Sequence, residues 1–380
     1  MTCRRGAGRR VAGALSLLVV SAATATTATT AATAATAATA APAGEVVAPG
    51  NFIHVVAHLD RTMAFYHGVL GLDQLTFGNA APAPPKFAAN APVAQLYDVP
   101  SDTSVGVVVY RLPVMGVGLE FAEFRKVRQK SVHPQPQDPG ASCVVLTVRQ
   151  VDPILQRAHA AHVPIVSLGG VPVPSDDPGA AGRSVVLRDP DGYYVELVEQ
   201  PAAAAAATAT GHGESDAANV LQAALMLSIA DTDRNAQFYR DLLGMPLQID
   251  ASFAPDASLS KAFGLRGGQV RRSVASIPGS TFRYDFVEWK GVPRRATHAA
   301  VHDHGAGVLR LSVSDVDGFV SHLKAAGIVV DSTGGGTVSL GGTFHASILS
   351  DPNGLFIEPV PRPRARRALA PAPQPSPARP

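Results

Sequence analysis

Cysteine is nearly missing from this chain: Cys3 and Cys143 are the two it has in 380 residues. Cys3 falls in a leader-like stretch, so a mature chain would keep one thiol and have no intrachain disulfide. The folded units must then be stable on packing alone. An excess of charge is missing too. The formal net charge is +2 and a good share of the arginine sits at the two ends, which excludes the broad basic face that nucleic-acid binding needs. Long apolar runs are absent as well. Val11 to Ala22, preceded by Arg4, Arg5, Arg9 and Arg10, is too brief to span a bilayer comfortably and passes into Ala/Thr triplets. This pattern predicts a signal peptide with a spacer over residues 1–45, export to the periplasm or the exterior, and no stable membrane span. Neither Gly-x-Ser-x-Gly nor His-Glu-x-x-His occurs, so nothing marks a nucleophile with its own base, and no catalytic residue is assigned. Gly334 to Gly336 and the pair Gly341 and Gly342 lack the strand-to-helix setting of a phosphate loop and read as turns.

What the chain does have is a repeat. Asp60-Arg61 leads through Phe65-Tyr66 to Leu70-Gly71, and Asp233-Arg234 leads through Phe238-Tyr239 to Leu243-Gly244. Each is answered downstream by a turn and a strand: Asp189-Pro190-Asp191-Gly192 before Glu196, and Asp351-Pro352-Asn353-Gly354 before Glu358. The spacing between copies shortens steadily from Tyr66/Tyr239 through Glu120/Asp285 to Asp189/Asp351, as one duplication with small deletions would leave it. Leu59, Met63, Tyr66 and Leu70 form the stripe of a half-buried helix that Gly71 can close. Strand, helix, strands is the order within each half of each copy. The resulting division is a first domain over 46–200, an Ala-rich linker over 201–217, a second domain over 218–361 and a disordered Pro/Arg-rich tail over 362–380.

These motifs resemble the vicinal oxygen chelate superfamily, the group of glyoxalase I, bleomycin and fosfomycin resistance proteins and extradiol dioxygenases. The resemblance covers about residues 50–200 and 218–361. It implies an α+β fold of two tandem domains, each of two βαβββ modules whose curved sheets form a cup around a ligand or a divalent metal.

In metal-dependent members the ligands, commonly His or Gln, Glu, His and Glu, come from the first and last strands of each module. Carried onto this chain, the carboxylate positions fall on Glu120 and Glu196, which would converge in the first domain's cup. They would suit a divalent ion such as Zn, Ni, Mn or Fe. The histidine positions fall on Asn51 and Cys143; His54 reaches the inner face only if the register shifts by one residue. The plain alternatives are that Cys143 is a small core residue and His54 a packed strand residue. Asn51, Tyr194 and Phe124 are candidate substrate contacts, with Phe356 and Trp289 as further aromatic lining. The second domain offers Ala224, Asp285, Val308 and Glu358. Asp285 and Glu358 are thus a second-cup pair without imidazole or thiol, and no metal is expected there. His298, His302 and His304 lie between modules and read as a mobile exposed loop.

Two readings of function follow from the resemblance. One is an exported metal-dependent enzyme, a glyoxalase-like lyase or isomerase or a dioxygenase-superfamily member, with the first domain as its active cup on a small oxygen-rich metabolite. The other is a metal-free protein that sequesters a small molecule and whose metal site has degenerated. Both imply a monomer or homodimer with a small-molecule ligand.

Overall fold

The computed structural model describes residues 44–76, 83–114, 116–174, 182–200 and 219–362. The predicted leader, the linker over 201–217 and the tail beyond 362 lie outside the described residues.

Both signature helices start as α-helix and then widen. Leu59–Met63 runs into a π-helical Ala64–Val69, and Thr232–Ala236 into Gln237–Leu242. In the wide turns the Leu70 N–H donates to the Phe65 carbonyl and the Leu243 N–H to that of Phe238, each at 3.0 Å. Phe65 and Tyr66, like Phe238 and Tyr239, are all buried in these turns. A strand carboxylate satisfies each helix start: Glu123 accepts from the Leu59 N–H at 2.8 Å, and Glu288 from that of Thr232 at 2.7 Å. Gly71 and Gly244, at φ +76° and +70°, end the two helices in the left-handed region.

The two halves of the repeated signature prove to be two sides of one latch. The Tyr66 hydroxyl donates to Asp189 at 3.1 Å, and the Tyr239 hydroxyl to Asp351 at 3.0 Å. Asp189 also accepts the N–H groups of Asp191 and Tyr193, and Asp351 those of Asn353 and Leu355. Module one is thereby tied to module two, and module three to module four.

Sheet pairing follows a different order. The seven-stranded sheet runs Leu349–Ser350, Phe356–Pro361 and Gly307–Val313 of the fourth module, then Val46–Val55, Gly118–Arg125, Ser104–Arg111 and Ala88–Ala89 of the first. The nine-stranded sheet runs Leu247–Ile249, Gln269–Ser276, Arg283–Lys290 and Val220–Ile229 of the third, then Ser142–Val148, Tyr194–Glu199, Arg183–Arg188 and Val173–Pro174 of the second. Ala254–Pro255 pairs off this path. Each order is open, so neither sheet closes on itself. The tandem α+β repeat is therefore present, but the expected pairing of modules within each domain is corrected: each sheet joins one module from each repeat.

The reason is a long-range fit that local patterns do not carry. Phe52 of the first module faces Leu309 of the fourth across the central antiparallel pair, with His54 opposite Gly307. A Cβ on Gly307 would stand 3.1 Å from the Phe52 ring, so the bare glycine lets the ring settle there.

One large apolar cluster takes side chains from both sheets and from the signature helices, including Phe52, Tyr66, Leu146, Tyr239 and Leu309. The opposite faces of the two sheets carry two smaller clusters. A short helix covers each: Ala91–Leu96, capped by Asn90, and Ala257–Ala262, capped by Asp256. Among the described residues no helix is long and apolar enough to cross a membrane.

Candidate functional site

The two covered faces are where the predicted site residues gather, and they differ. On the seven-stranded sheet Glu120 and Glu358 project from strands on either side of the central pair. Arg310, on Gly307–Val313, lies between them. Its Nη1 donates to Glu120 Oε2 at 2.7 Å, its Nη2 to Glu120 Oε1 at 3.3 Å, and its Nε to Glu358 Oε2 at 2.9 Å. Asn51 adds an amide donor to Glu120 Oε2 at 2.8 Å. The side chains of Arg310, Glu120 and Glu358 are 7, 4 and 2% exposed.

Burial by itself would lower the Arg310 pKa, but Glu120 and Glu358 outweigh it and hold the guanidinium charged. Burial raises Glu358 above the usual carboxylate range, with Arg310 opposing. Tyr97, just past the covering helix, has its phenol raised by burial and then by Glu358. It packs against Phe124 at 5.1 Å between ring centres. Phe356 lies in the same cluster. A Cβ on Gly50 would come within 2.9 Å of Arg310 Cγ, so this glycine makes room for the arginine.

On the nine-stranded sheet the same strand positions read differently. Val145 stands opposite Glu196 as Arg310 stands opposite Glu358. Asp285 takes the place of Glu120, and Ala224 that of Asn51. Glu196 is buried and its pKa is pushed up to about 7 by burial, with Asp285 and Asp256 adding to the rise and a Ser184 hydrogen bond and Arg272 opposing it. Arg272 is paired with Asp256, and Arg283 with Asp285 at 2.8 Å. Solvent reaches this set: the side chains of Asp285, Asp256 and Arg272 are 21, 23 and 44% exposed.

Glu120 and Glu196 therefore do not meet, because they belong to different sheets. Glu120 is joined to Glu358 through Arg310, while Glu196 shares its sheet face with Asp285, with two strands between them. Cys143 is buried near Glu196; burial and then Glu196 push its thiol up, and its Sγ donates to its neighbour's carbonyl at 3.6 Å. His54 pairs with Phe121 while Ile53 pairs with Glu120, so alternation puts His54 on the sheet face opposite Glu120. It stacks on Tyr193 at 3.6 Å, neither ring nitrogen has a partner, and burial lowers its pKa to about 3, which keeps it neutral. Asn51 is committed to Glu120. Tyr194 donates to the Pro134 carbonyl at 2.8 Å, and Trp289 to Ser228 at 3.2 Å. The His304 end of the histidine segment is held, since Asp303 accepts from the Lys130 N–H at 2.7 Å and the His304 carbonyl from that of Val132 at 2.8 Å, while His298 is exposed.

Sequence reasoning passed over Arg310, Tyr97, Arg272 and Ser184. Arg310 did leave a signal, as a basic residue in the otherwise apolar run Val308-Leu309-Arg310-Leu311, where a buried strand position demands a charged partner. Among the described residues no group of three or more His, Cys, Asp or Glu is placed to hold a metal ion.

A family model described as the Glyoxalase/Bleomycin resistance protein/Dioxygenase superfamily matches residues 50–197 and 222–358. Similar solved structures include a variant of glyoxalase I from Zea mays, at 16% identity and TM-score 0.51, covering 83% of this chain and 93% of that one. The unmodified Zea mays glyoxalase I follows at 16% and 0.48, covering 83% and 92%. A glyoxalase family protein from Bacillus cereus, at 16% and 0.33, covers 44% of this chain and 99% of that one. No curated protein matches the sequence.

Proposed function

The chain belongs to the Glyoxalase/Bleomycin resistance protein/Dioxygenase superfamily, and within it we propose a metal-independent small-molecule-binding protein, exported through its leader. The ligand face is the one shared by the second and third modules. One observation carries this reading: the Arg310 guanidinium lies between Glu120 and Glu358, where a cation bound by both carboxylates would have to sit. A divalent ion there would face a fixed positive charge within hydrogen-bond distance of both its ligands.

The twin face does not suit a transition metal either. Its two carboxylates come with Cys143 and Ala224 at the histidine positions; Ala224 offers no donor atom, and burial pushes the Cys143 thiol up, against the thiolate that ligation needs. What the twin face has is access to solvent at Asp285 and, in Glu196, a carboxylate without an ion-pair partner among the described residues. It also has aromatic backing from Tyr194, Phe263 and Trp289, the combination of apolar wall and few polar groups that small-molecule sites use.

The test is metal content. The full chain, incubated with Zn, Ni, Mn and Fe salts and dialysed, is expected to retain only substoichiometric metal and to unfold at the same temperature with and without chelator. One equivalent of metal retained per chain and lost in Glu120→Gln or Glu196→Gln would overturn the reading.

A further inference from the structure

We propose that the face of the second and third modules binds an organic cation, a guanidinium or alkylammonium group, between Glu196 and Asp285. This rests on the ligand face proposed above and names the class of ligand it takes. The argument comes from the molecule's own repeat. At the twin positions Glu358 and Glu120 hold a guanidinium, that of Arg310, through three hydrogen bonds. Strand register makes Val145 the counterpart of Arg310. Ala224, opposite Val145, is the counterpart of Asn51. Both changes shorten a side chain. The carboxylates of the pair are kept, while the internal cation and the amide that occupied the space over them are gone.

Charge points the same way. Arg272 is held by Asp256, and Arg283 reaches Asp285 from its outer side, from an exposed position at the strand's start. Six charged groups face the site: Glu196, Asp285 and Asp256 against Arg272, Arg283 and Arg188, whose guanidinium lies over the Tyr194 ring at 5.9 Å. Arg272 is engaged by Asp256, Arg283 by Asp285 and Arg188 by the Tyr194 ring, so among the described residues Glu196 has no ion-pair partner, unlike Glu358 with Arg310. The three sealed groups of the twin face lack only a route to solvent. Here Asp285 reaches solvent although Glu196 is buried, so a diffusing cation enters from the Asp285 side to take the place that Arg310 fills from within. Charge-assisted hydrogen bonds to two carboxylates favour a planar guanidinium over a neutral or anionic group.

Trp289 provides the readout. It is the only tryptophan in the chain, it is fully buried, and it shares a strand face with Asp285. The full chain at pH 8 is titrated with agmatine, butylamine, butanol, butyrate and manganese chloride while tryptophan fluorescence is followed. A saturable change is expected with agmatine and butylamine, weakened about tenfold or more in Glu196→Gln and Asp285→Asn. It is expected to vanish in Val145→Arg, which supplies the cation internally. Ala224→Asn, which rebuilds the twin's amide, is the second blocking variant should Val145→Arg fail to fold by circular dichroism.

A response to butanol or butyrate alone, lost in the blocking variants, would leave the ligand face standing and overturn the cationic class. A manganese response lost in Glu196→Gln would overturn the metal-independent reading and this inference with it. Silence towards every probe would overturn both.

Discussion

The face of the first and fourth modules carries Asn51, Glu120, Arg310 and Glu358; the face of the second and third carries Ala224, Asp285, Val145 and Glu196 at the same strand positions. Backbone, covering helix and aromatic backing are shared. Tyr97 packs on Phe124 in one as Phe263 packs on Trp289 in the other. The acidic pair survives in both, so the divergence lies in what neutralises it. One face answers its carboxylates from within and is sealed. The other pairs Asp285 with Arg283 within reach of solvent and leaves the buried Glu196 without an ion-pair partner among the described residues. A duplicated site can thus be retired as structure in one copy and stay free to bind in the other.

The largest effect should come from breaking the sealed face. Arg310→Met leaves Glu120 and Glu358 buried without a cation, and its cost in urea unfolding is expected at about 3–5 kcal/mol. Adding Glu120→Gln and Glu358→Gln to it should recover most of that loss, because the three groups are needed only for one another. If the single change costs no more than an exposed ion pair, the sealed trio has been misread.

Next comes pH on the open face. Glu196 keeps its proton in the folded state up to about pH 7, whereas the unfolded chain loses it in the ordinary carboxylate range. A raised carboxylate pKa means that the folded state binds more protons over that interval, so stability falls as pH climbs through it and levels off above it. Glu196→Gln removes this decline, and its advantage over the parent should grow by a few kcal/mol between pH 5 and pH 8 at ~1.4 kcal/mol per pH unit. Asp189, whose pKa burial also raises to about 7, is present in both proteins and cancels in the difference. Ligand binding should run the other way. An organic cation needs Glu196 ionised, so agmatine affinity is expected to rise with pH across neutrality. A flat profile would separate Glu196 from the ligand.

Smaller still is the effect at the glycine that makes room for Arg310. Gly50→Ala places a methyl within 2.9 Å of both Arg310 Cγ and the Arg310 carbonyl oxygen, an overpacking expected to cost about 1–3 kcal/mol. The counterpart change, Ala223→Gly, should cost only about 0.5–1 kcal/mol through backbone freedom. Equal losses would mean that the space beside Arg310 is not specifically shaped.

The repeat, the order of elements and most strand limits were legible in the sequence, because they are local. The Phe-Tyr pair, the Asp-Pro turns and the alternating strands each act over a few residues. The acidic positions were legible for the same reason. Which carboxylates meet was not. That depends on which strand edges join, and the join rests on such fits as Phe52 over Gly307 and Arg310 beside Gly50, between residues some 250 apart in sequence. His54 shows the same limit. Its register could be set only by its partners, Phe121 and Gly307, and they turn it away from Glu120.

The finest comparison is between the two latches. Asp189 receives the Tyr66 hydroxyl and two backbone N–H groups, while Asp351 receives those of Tyr239, Asn353 and Leu355 and also the Asn353 side-chain amide at 3.1 Å. Removing the hydroxyl therefore strips a larger share of the donors from Asp189. Tyr66→Phe is expected to cost about 1.5–2 kcal/mol above pH 7, where Asp189 is ionised, and Tyr239→Phe about 1 kcal/mol. Below pH 7 the Tyr66→Phe penalty should shrink, since a protonated Asp189 is a weaker acceptor and no longer needs the donor to hold its charge. Denaturant unfolding at pH 6 and pH 8 measures both. A larger loss for Tyr239→Phe would show that the Asn353 amide does not support its latch, and that the asparagine in the second turn is no substitute for the aspartate in the first.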